Sequence, residues 1–473
     1  MMQAPVRPLI AIVGATGTGK SDLAVELARK YDGEIINGDA MQLYQGLPII
    51  TNKITQEEMK VVPHHLLGCI GLEEETWTVS RFVEKALSTI EAIRSRSKLP
   101  ILVGGTHYYT QSLLFQDALW DEAPPDLSHG NESFPILEEP TNVILAKLQE
   151  VDPIMADRWH PNERRKIRRS LEIFLKTGKP ASQIYDEQRL KREFSPHSLN
   201  DSSKSSGTGM RSPTLVLWVH ASKDILYPRL NGRVDKMLSR GLLEEVESLS
   251  SVKHDIEAAT STVVDQSRGI WASIGYKEFL DYQDGLHNKD ADTADLEKLK
   301  TAAIEKTQAA TRQYANRQIK WIRIKLLNAL AGAGQQQNVF LFDGSDLSKW
   351  EQDVIGPAMS VTKHFLSGEV LPTPTSLSAA ASEMLTPKRE YDLGQRPDLW
   401  QKRVCDTCGI VAVTENDWSL HIKSRSHRRA VGCEKKQKTS KSTVERNHKV
   451  LQTDMIDVLE SYMQTFPSDD IAD

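Results

Sequence analysis

Gly14-Ala15-Thr16-Gly17-Thr18-Gly19-Lys20-Ser21 fits the pattern GxxxxGK[ST], and its neighbours decide how it is read. Ahead of it stands Leu9-Ile10-Ala11-Ile12-Val13, an apolar run of the kind that forms a buried parallel strand. Behind it comes Asp22-Leu23-Ala24-Val25-Glu26-Leu27-Ala28-Arg29, with apolar residues at helical spacing. Strand, glycine loop and helix in that order make a P-loop. Backbone N–H groups turn inward around an anion there, and the helix N-terminus adds its positive end. Gly14, Ala15, Thr16, Gly17, Thr18, Gly19, Lys20 and Ser21 are therefore expected to hold a diphosphate or triphosphate. Lys20 would reach the terminal phosphate and the Ser21 hydroxyl would ligate Mg²⁺.

Outward from the loop the same architecture repeats. Glu34–Asp39 reads as a strand ending on a carboxylate, and ligands of doubly wound sheets lie beyond strand carboxyl ends, so Asp39 should face the loop. Pro63–Gly68 begins another strand candidate, and Val79–Ser95 carries a helical apolar face. Pro100–Thr106 repeats strand and glycine turn, with a helix opening at His107. Thr214–Val219 and Val339–Asp343 read as the later strands. From Asn142 the pattern is helical, with Asp152-Pro153 as a stop and restart. The fold class is α/β: a P-loop NTPase-like parallel sheet with an inserted helical domain and a C-terminal C2H2 zinc finger. The expected divisions are 1–141 (core, first part), 142–213 (helical insertion), 214–366 (core continuation), 367–400 (linker), 401–432 (finger) and 433–473 (basic segment and tail).

Bulk properties narrow the function class. The 473 residues suffice for two or three domains, and a net charge of −5 gives no global nucleic-acid signature, so any basic footprint is local. No run is long and apolar enough to span a membrane, and the start lacks the apolar core of a secretory signal. Four cysteines argue for a reducing compartment rather than a disulfide framework. The expected location is the cytoplasm, with mitochondrion and nucleus as further compartments, and the expected state is a monomer.

Three stretches point to other ligands. Asn162–Glu172 is the densest basic patch; Ile167, Leu171 and Phe174 can share a face and leave Arg164, Arg165 and Arg168 outward, beside Lys166. It reads either as a solvated helix face or as a phosphate-backbone contact. Ile304–Ile324 interleaves Arg312, Arg317, Lys320 and Arg323 with Tyr314 and Trp321, which fits a nucleic-acid groove or a half-buried surface helix. Cys405, Cys408, His421 and His427 have the spacing C-x₂-C-x₁₂-H-x₅-H, suited to tetrahedral Zn²⁺ in a closed, structural site. Trp418 and Leu420 are expected to supply the small core there. Ser195–Pro213 reads as a disordered insertion or a long loop, Leu371–Asp398 as a linker without a core, and Leu451–Phe466 as a short amphipathic helix.

Several unconnected motifs in one order resemble the tRNA dimethylallyltransferases (tRNA isopentenyltransferases): 14–21, Gly38–Leu47, Ile50–Lys53, Pro63–Leu66, Val103–Tyr109, Ile274–Glu278 and Gln313–Trp321. The resemblance covers about residues 8–330, and the finger looks like the eukaryotic form. Ala40 stands where that family usually has Ser, which removes a hydroxyl beside Asp39.

The resemblance implies transfer of a dimethylallyl group from dimethylallyl diphosphate to N6 of the adenosine 3′ of the tRNA anticodon. The residues suit that chemistry. P-loop amides, Lys20 and Mg²⁺ on Ser21 would take the leaving charge, and Asp39 would be the general base. Thr16 and Thr106 would sit where amine and diphosphate meet, with Arg233 reaching the diphosphate. Gln42 would hydrogen-bond the flipped-out base, within a tRNA-binding set of Asp39, Ala40, Met41, Gln42, Arg164, Arg165, Lys166, Arg168 and Arg317. A P-loop kinase of a small-molecule or nucleotide acceptor, with Asp39 activating a hydroxyl, is the competing enzyme. A nucleic-acid adaptor with a retired P-loop is the competing non-enzyme.

Overall fold

The computed structural model describes residues 4–116, 134–193, 209–266, 268–288, 292–386 and 400–439. It divides into two compact units, one of residues 1–119, 208–390 and 469–473, the other of 120–207 and 391–468.

In the first unit, the apolar runs resolve into a six-stranded parallel sheet. The strands are β1 (Leu9–Gly14), β2 (Gly33–Asn37), β3 (His64–His65), β4 (Leu99–Val103), β5 (Thr214–His220) and β6 (Val339–Asp343), in the order β3-β2-β4-β1-β5-β6. β1 lies centrally, with Ile10 opposite Ile101 of β4 and Leu215 of β5. Because side chains alternate along a strand, β1 feeds two cores. Leu9, Ala11 and Val13 face one core with Phe82, Ile90, Tyr109 and Ile322. Ile10 and Ile12 face another with Leu23, Leu27, Ala358, Val361 and Phe365. Burial on both faces explains why the strands read as continuous apolar runs. The P-loop thus leaves the middle of a sheet packed on both sides. Its following helix, α1 (Lys20–Lys30), begins immediately after Gly19.

The strand candidate at 63–68 shrinks to the two-residue edge strand β3. The linker reading of Leu371–Asp398 needs correction over its first half. Ser378 caps a short helix, Ala379–Met384, by accepting from the Ala381 amide, and this places Ala381 and Met384 on one face where both are buried. Small residues disguised a helix that packs. Of Ser195–Pro213, residues 195–208 lie outside the described residues, as does Leu451–Phe466.

The second unit has its own core of Leu137, Ile144, Leu148, Met155, Ile167 and Leu171. Helix Thr141–Val151 stops where expected. The buried Asp152 carboxylate accepts from Met155 and Ser182 amides at 3.2 and 2.9 Å, and Pro153 opens the next helix, Pro153–Arg158. The hairpin β7 (Trp400–Val404) and β8 (Val411–Thr414) belongs to the same unit. Lys402 donates to the Ala156 carbonyl at 3.3 Å, and the Arg158 guanidinium lies 5.1 Å from the ring centres of both Trp159 and Trp400. Among the described residues no helix is long and apolar enough to cross a membrane.

Candidate active site

Three strand ends and two helices meet at the phosphate loop. After β1 the chain folds back on itself: the Lys20 ammonium donates to the Ala15 carbonyl at 2.7 Å, and the Thr18 hydroxyl to the same carbonyl at 2.9 Å. After β2, Asn37 shapes the turn. Its Oδ1 accepts from the Asp39 amide at 3.0 Å, and its Nδ2 donates to the Leu66 carbonyl at 2.8 Å. Asp39 Oδ1 in turn accepts from the Met41 amide at 3.0 Å, where the 3₁₀ turn Met41–Leu43 begins. After β4 the Thr106 hydroxyl accepts from the Ala40 amide at 3.0 Å, joining the second and third strand ends. Thr106 precedes helix His107–Leu114 without capping it through its side chain.

Helix Lys223–Ser239 supplies Arg233, whose guanidinium donates to the Thr16 hydroxyl at 2.9 Å. The 29-residue helix Thr293–Trp321 supplies Gln318. Its Oε1 accepts from the Thr16 amide at 2.7 Å and its Nε2 donates to the Gly105 carbonyl at 2.9 Å. The Tyr314 hydroxyl, one turn earlier, donates to that carbonyl at 3.4 Å. Position 105 must be glycine here: a β-carbon would stand 2.6 Å from Gln318 Nε2 and 3.0 Å from Asp39 Oδ2.

Charge organises the same space. Burial pushes the Lys20 ammonium down to about 8; the Asp39 charge opposes this and the Arg233 charge adds to it. Burial raises the Asp39 carboxyl, while the Met41 amide and the charges of Lys20 and Arg233 pull it back. Arg233 is lowered to about 10 by burial, against the attraction of Asp39. Burial, then the Lys20 charge, keeps His107 neutral by holding it down at about 3. The Tyr314 phenol is raised by burial and by the Asp39 charge, with Arg317 acting against both. The arrangement is a cationic anion cradle coupled to a carboxylate of raised basicity. It can stabilise a leaving diphosphate and accept a proton.

Thr16, Lys20, Asp39, Thr106 and Arg233 come together, with Arg317 near enough to act on Tyr314. Ser21 is exposed on the first turn of α1. Gln42 Nε2 donates to the Thr51 and Asn52 carbonyls at 3.3 and 3.1 Å. That segment is itself held by the Glu245 carboxylate, which accepts from the Ile49 and Ile50 amides at 2.9 and 2.8 Å. The roles of Gln318 and Tyr314 were not readable beforehand, although both lie in the motif Gln313–Trp321 at a four-residue helical spacing.

In the second unit the outward placement of Arg164 and Arg168 is corrected. Arg164 donates to the Glu139 and Leu137 carbonyls at 2.5 and 3.2 Å, and Arg168 to Leu137 at 3.3 Å and Glu138 at 2.9 Å. Both arginines stand on the first turns of helix Arg164–Thr177, and the carbonyls of the neighbouring turn Pro135–Glu138 and of Glu139 draw their guanidiniums. Arg165 is half-buried, and Lys166 pairs with Glu163 at 3.0 Å with its ammonium 5.1 Å from the Trp159 ring centre.

Cys405, Cys408, His421 and His427 place their ligand atoms within 4.8 Å of one another and could hold a metal ion. His427 Nδ1 lies 3.6 and 3.4 Å from the two sulfurs, and both ring nitrogens of the buried His421 lack a hydrogen-bond partner among the described residues. Two thiols and two imidazoles converging on one point fit tetrahedral Zn²⁺. The small core there is Ala412 and Val413, with Trp418 half-buried. Leu420 is exposed, a correction that follows from its falling on the outer face of helix Glu415–Lys423.

The IPP transferase family model matches residues 42–325. The tRNA dimethylallyltransferase of Schizosaccharomyces pombe is 36% identical, over 90% of this chain and 95% of its own. That of Homo sapiens is 35% identical, over 89% and 85%. A solved structure described as a eukaryotic dimethylallyltransferase acting on tRNA is 33% identical, with a TM-score of 0.72 over 92% of this chain and 98% of that one. With the phosphate loop, the facing aspartate and the four-ligand cluster already in place, these likenesses settle the kinship: the chain belongs to the IPP transferase family.

Proposed function

We propose that this protein transfers a dimethylallyl group from dimethylallyl diphosphate to N6 of the adenosine 3′ of the anticodon in tRNA. The observation that carries the reading is the convergence beside the phosphate loop of Thr16, held by Gln318 and Arg233, and the Asp39–Ala40 turn, held on the Thr106 hydroxyl. In the reaction the N6 lone pair forms a bond to C1 of the dimethylallyl group. The C1–O bond breaks, its electron pair leaves with diphosphate, and the N6 proton passes to Asp39. Lys20, Arg233 and the loop amides receive the developing charge, in a setting where fixed dipoles count for more than in water. Thr16, held by Gln318 and Arg233, and Thr106, held on the Ala40 amide, line the meeting point.

Mg²⁺ commonly takes one or two protein oxygens and completes its shell with phosphates and water, which suits the Ser21 hydroxyl. When bound it would neutralise part of the diphosphate charge. Arg165, Lys166 and Arg317 are the basic residues we assign to tRNA phosphates, and Gln42 to the flipped-out base. Arg164 and Arg168 instead brace the fold. Zn²⁺ in the Cys405–His427 cluster would be structural. We take the protein to act as a monomer, in the cytoplasm and also in mitochondrion or nucleus. Mass analysis of tRNA nucleosides, with radiolabelled donor as a second readout, tests the reading: label from dimethylallyl diphosphate must enter tRNA, whereas γ-phosphate transfer from ATP would indicate the kinase.

A further inference from the structure

On the side of the phosphate loop away from Asp39, one aromatic residue occupies a position that the transfer reaction does not explain. Asp39 follows β2, beyond β4. On the opposite flank β5 pairs with β1 and β6 with β5, so the chain leaving β6 emerges beside the loop. This exit is firmly pinned. The Gly344 amide donates to the His220 carbonyl at 2.8 Å, Arg229 donates to the Gly344 carbonyl at 2.8 Å, and the Ser222 amide donates to the Ser345 hydroxyl at 2.8 Å. The Asp343 carboxylate accepts from the Ser345 amide at 3.0 Å. A 3₁₀ turn, Leu347–Lys349, then delivers Trp350.

The benzo edge of the indole comes close to two bare backbones. A β-carbon on Gly19 would stand 2.4 Å from its ring edge, and one on Gly344 2.6 Å. Gly19 has φ +87° and is the residue from which α1 starts. The ring therefore covers the end of the anion cradle at the α1 N-terminus, and its inner part packs on the core that holds Leu23 and Phe342.

We propose that Trp350 is a specificity-determining wall that closes this end of the cradle and excludes nucleoside polyphosphates. The inference rests on the reading of the loop as a diphosphate site. An allylic diphosphate carries its substituent at one end only, and the reading directs that end toward Thr16, Thr106 and Asp39. The other end is a bare phosphate and can terminate at a wall. A nucleoside triphosphate laid on such a loop has phosphates on the backbone amides and a bulky nucleoside continuing past the helix N-terminus. The indole stands in that path. Steric rejection of this kind separates two ligands that the loop amides alone would hold equally well.

The test compares the wild type with Trp350→Ala and Trp350→Val, the second retaining apolar contact with the core. MgATP is the probe. Calorimetry measures its binding, and dimethylallyl transfer to tRNA measures its inhibition constant relative to the KM for dimethylallyl diphosphate. The wall predicts weak MgATP binding by the wild type. It also predicts that this ratio falls about tenfold or more in at least one variant, with inhibition competitive against the diphosphate. Folded variants with an unchanged ratio would overturn it. So would a wild type that binds MgATP as tightly as the variants, or variants that bind it less tightly, which would mark the indole as a stacking platform. Absence of transfer by the wild type would instead count against the proposed function, and calorimetry would still decide whether the wall exists.

Discussion

Gln318 bridges Thr16 and the third strand end: one amide group accepts from the Thr16 backbone at 2.7 Å and donates to the Gly105 carbonyl at 2.9 Å. A single side chain thus sets the spacing between the anion loop and the Gly104–Thr106 turn beside Asp39. Gln318→Ala leaves the part-buried Thr16 amide without its acceptor, which costs about 1–3 kcal/mol, while the Gly105 carbonyl keeps the Tyr314 hydroxyl and the His107 amide. Small displacements of reacting groups are expensive, so kcat should fall by about 10²-fold. Gln318→Glu can still accept from Thr16 but cannot donate to Gly105 when ionised. It should therefore recover only part of the rate. Steady-state kinetics with both variants, alongside thermal melts, check this.

The pH profile follows from the two coupled charges. Transfer requires Asp39 ionised and Lys20 protonated. Asp39 is raised by burial, so the acid limb of kcat/KM should lie above the ordinary carboxylate range. Lys20 lies at about 8, so the alkaline limb should fall through that value in the free enzyme. Bound diphosphate favours the ammonium, and the alkaline limb of kcat should move upward. Stability carries the same signature. Below about 8 both native and unfolded chains hold the Lys20 proton and the cost of burying it is full. Between there and the ordinary 10.5 only the unfolded chain holds it, so the cost fades as pH rises. Lys20→Met should flatten that slope while turnover is lost.

Much of the first unit was legible because its strands are buried on both faces and its helices carry apolar stripes; Leu9–Val13 and Val79–Ser95 are examples. The P-loop announces itself through local spacing. What stayed hidden was long-range. Nothing in Thr293–Trp321 marks which face meets a loop some 300 residues earlier, so Gln318 looked like any helical glutamine. Arg164 and Arg168 read as outward because the Leu137 carbonyl that claims them belongs to Pro135–Glu138, whose position beside the helix no periodicity records. Apolar character alone does not tell Leu420, which is exposed, from the hairpin's Val413, which fills the finger's core.

The cluster of Cys405, Cys408, His421 and His427 predicts a metal dependence separable from the chemistry. Chelation should release about one Zn²⁺ per chain and loosen the hairpin around Ala412 and Val413. Cys405→Ser should act likewise. Both should weaken tRNA binding while leaving diphosphate binding by the P-loop unit near normal. Metal release assays and separate binding titrations with tRNA and with dimethylallyl diphosphate check this.

Asp39→Asn offers the most direct measurement of all. The variant keeps the volume and an oxygen for the Met41 amide but has no carboxylate to take the N6 proton. In single-turnover transfer of labelled dimethylallyl to tRNA, the rate should drop by about 10²- to 10⁴-fold, with tRNA binding near normal. Transfer at the wild-type rate would contradict the account, because no proton acceptor at Asp39 would then be needed.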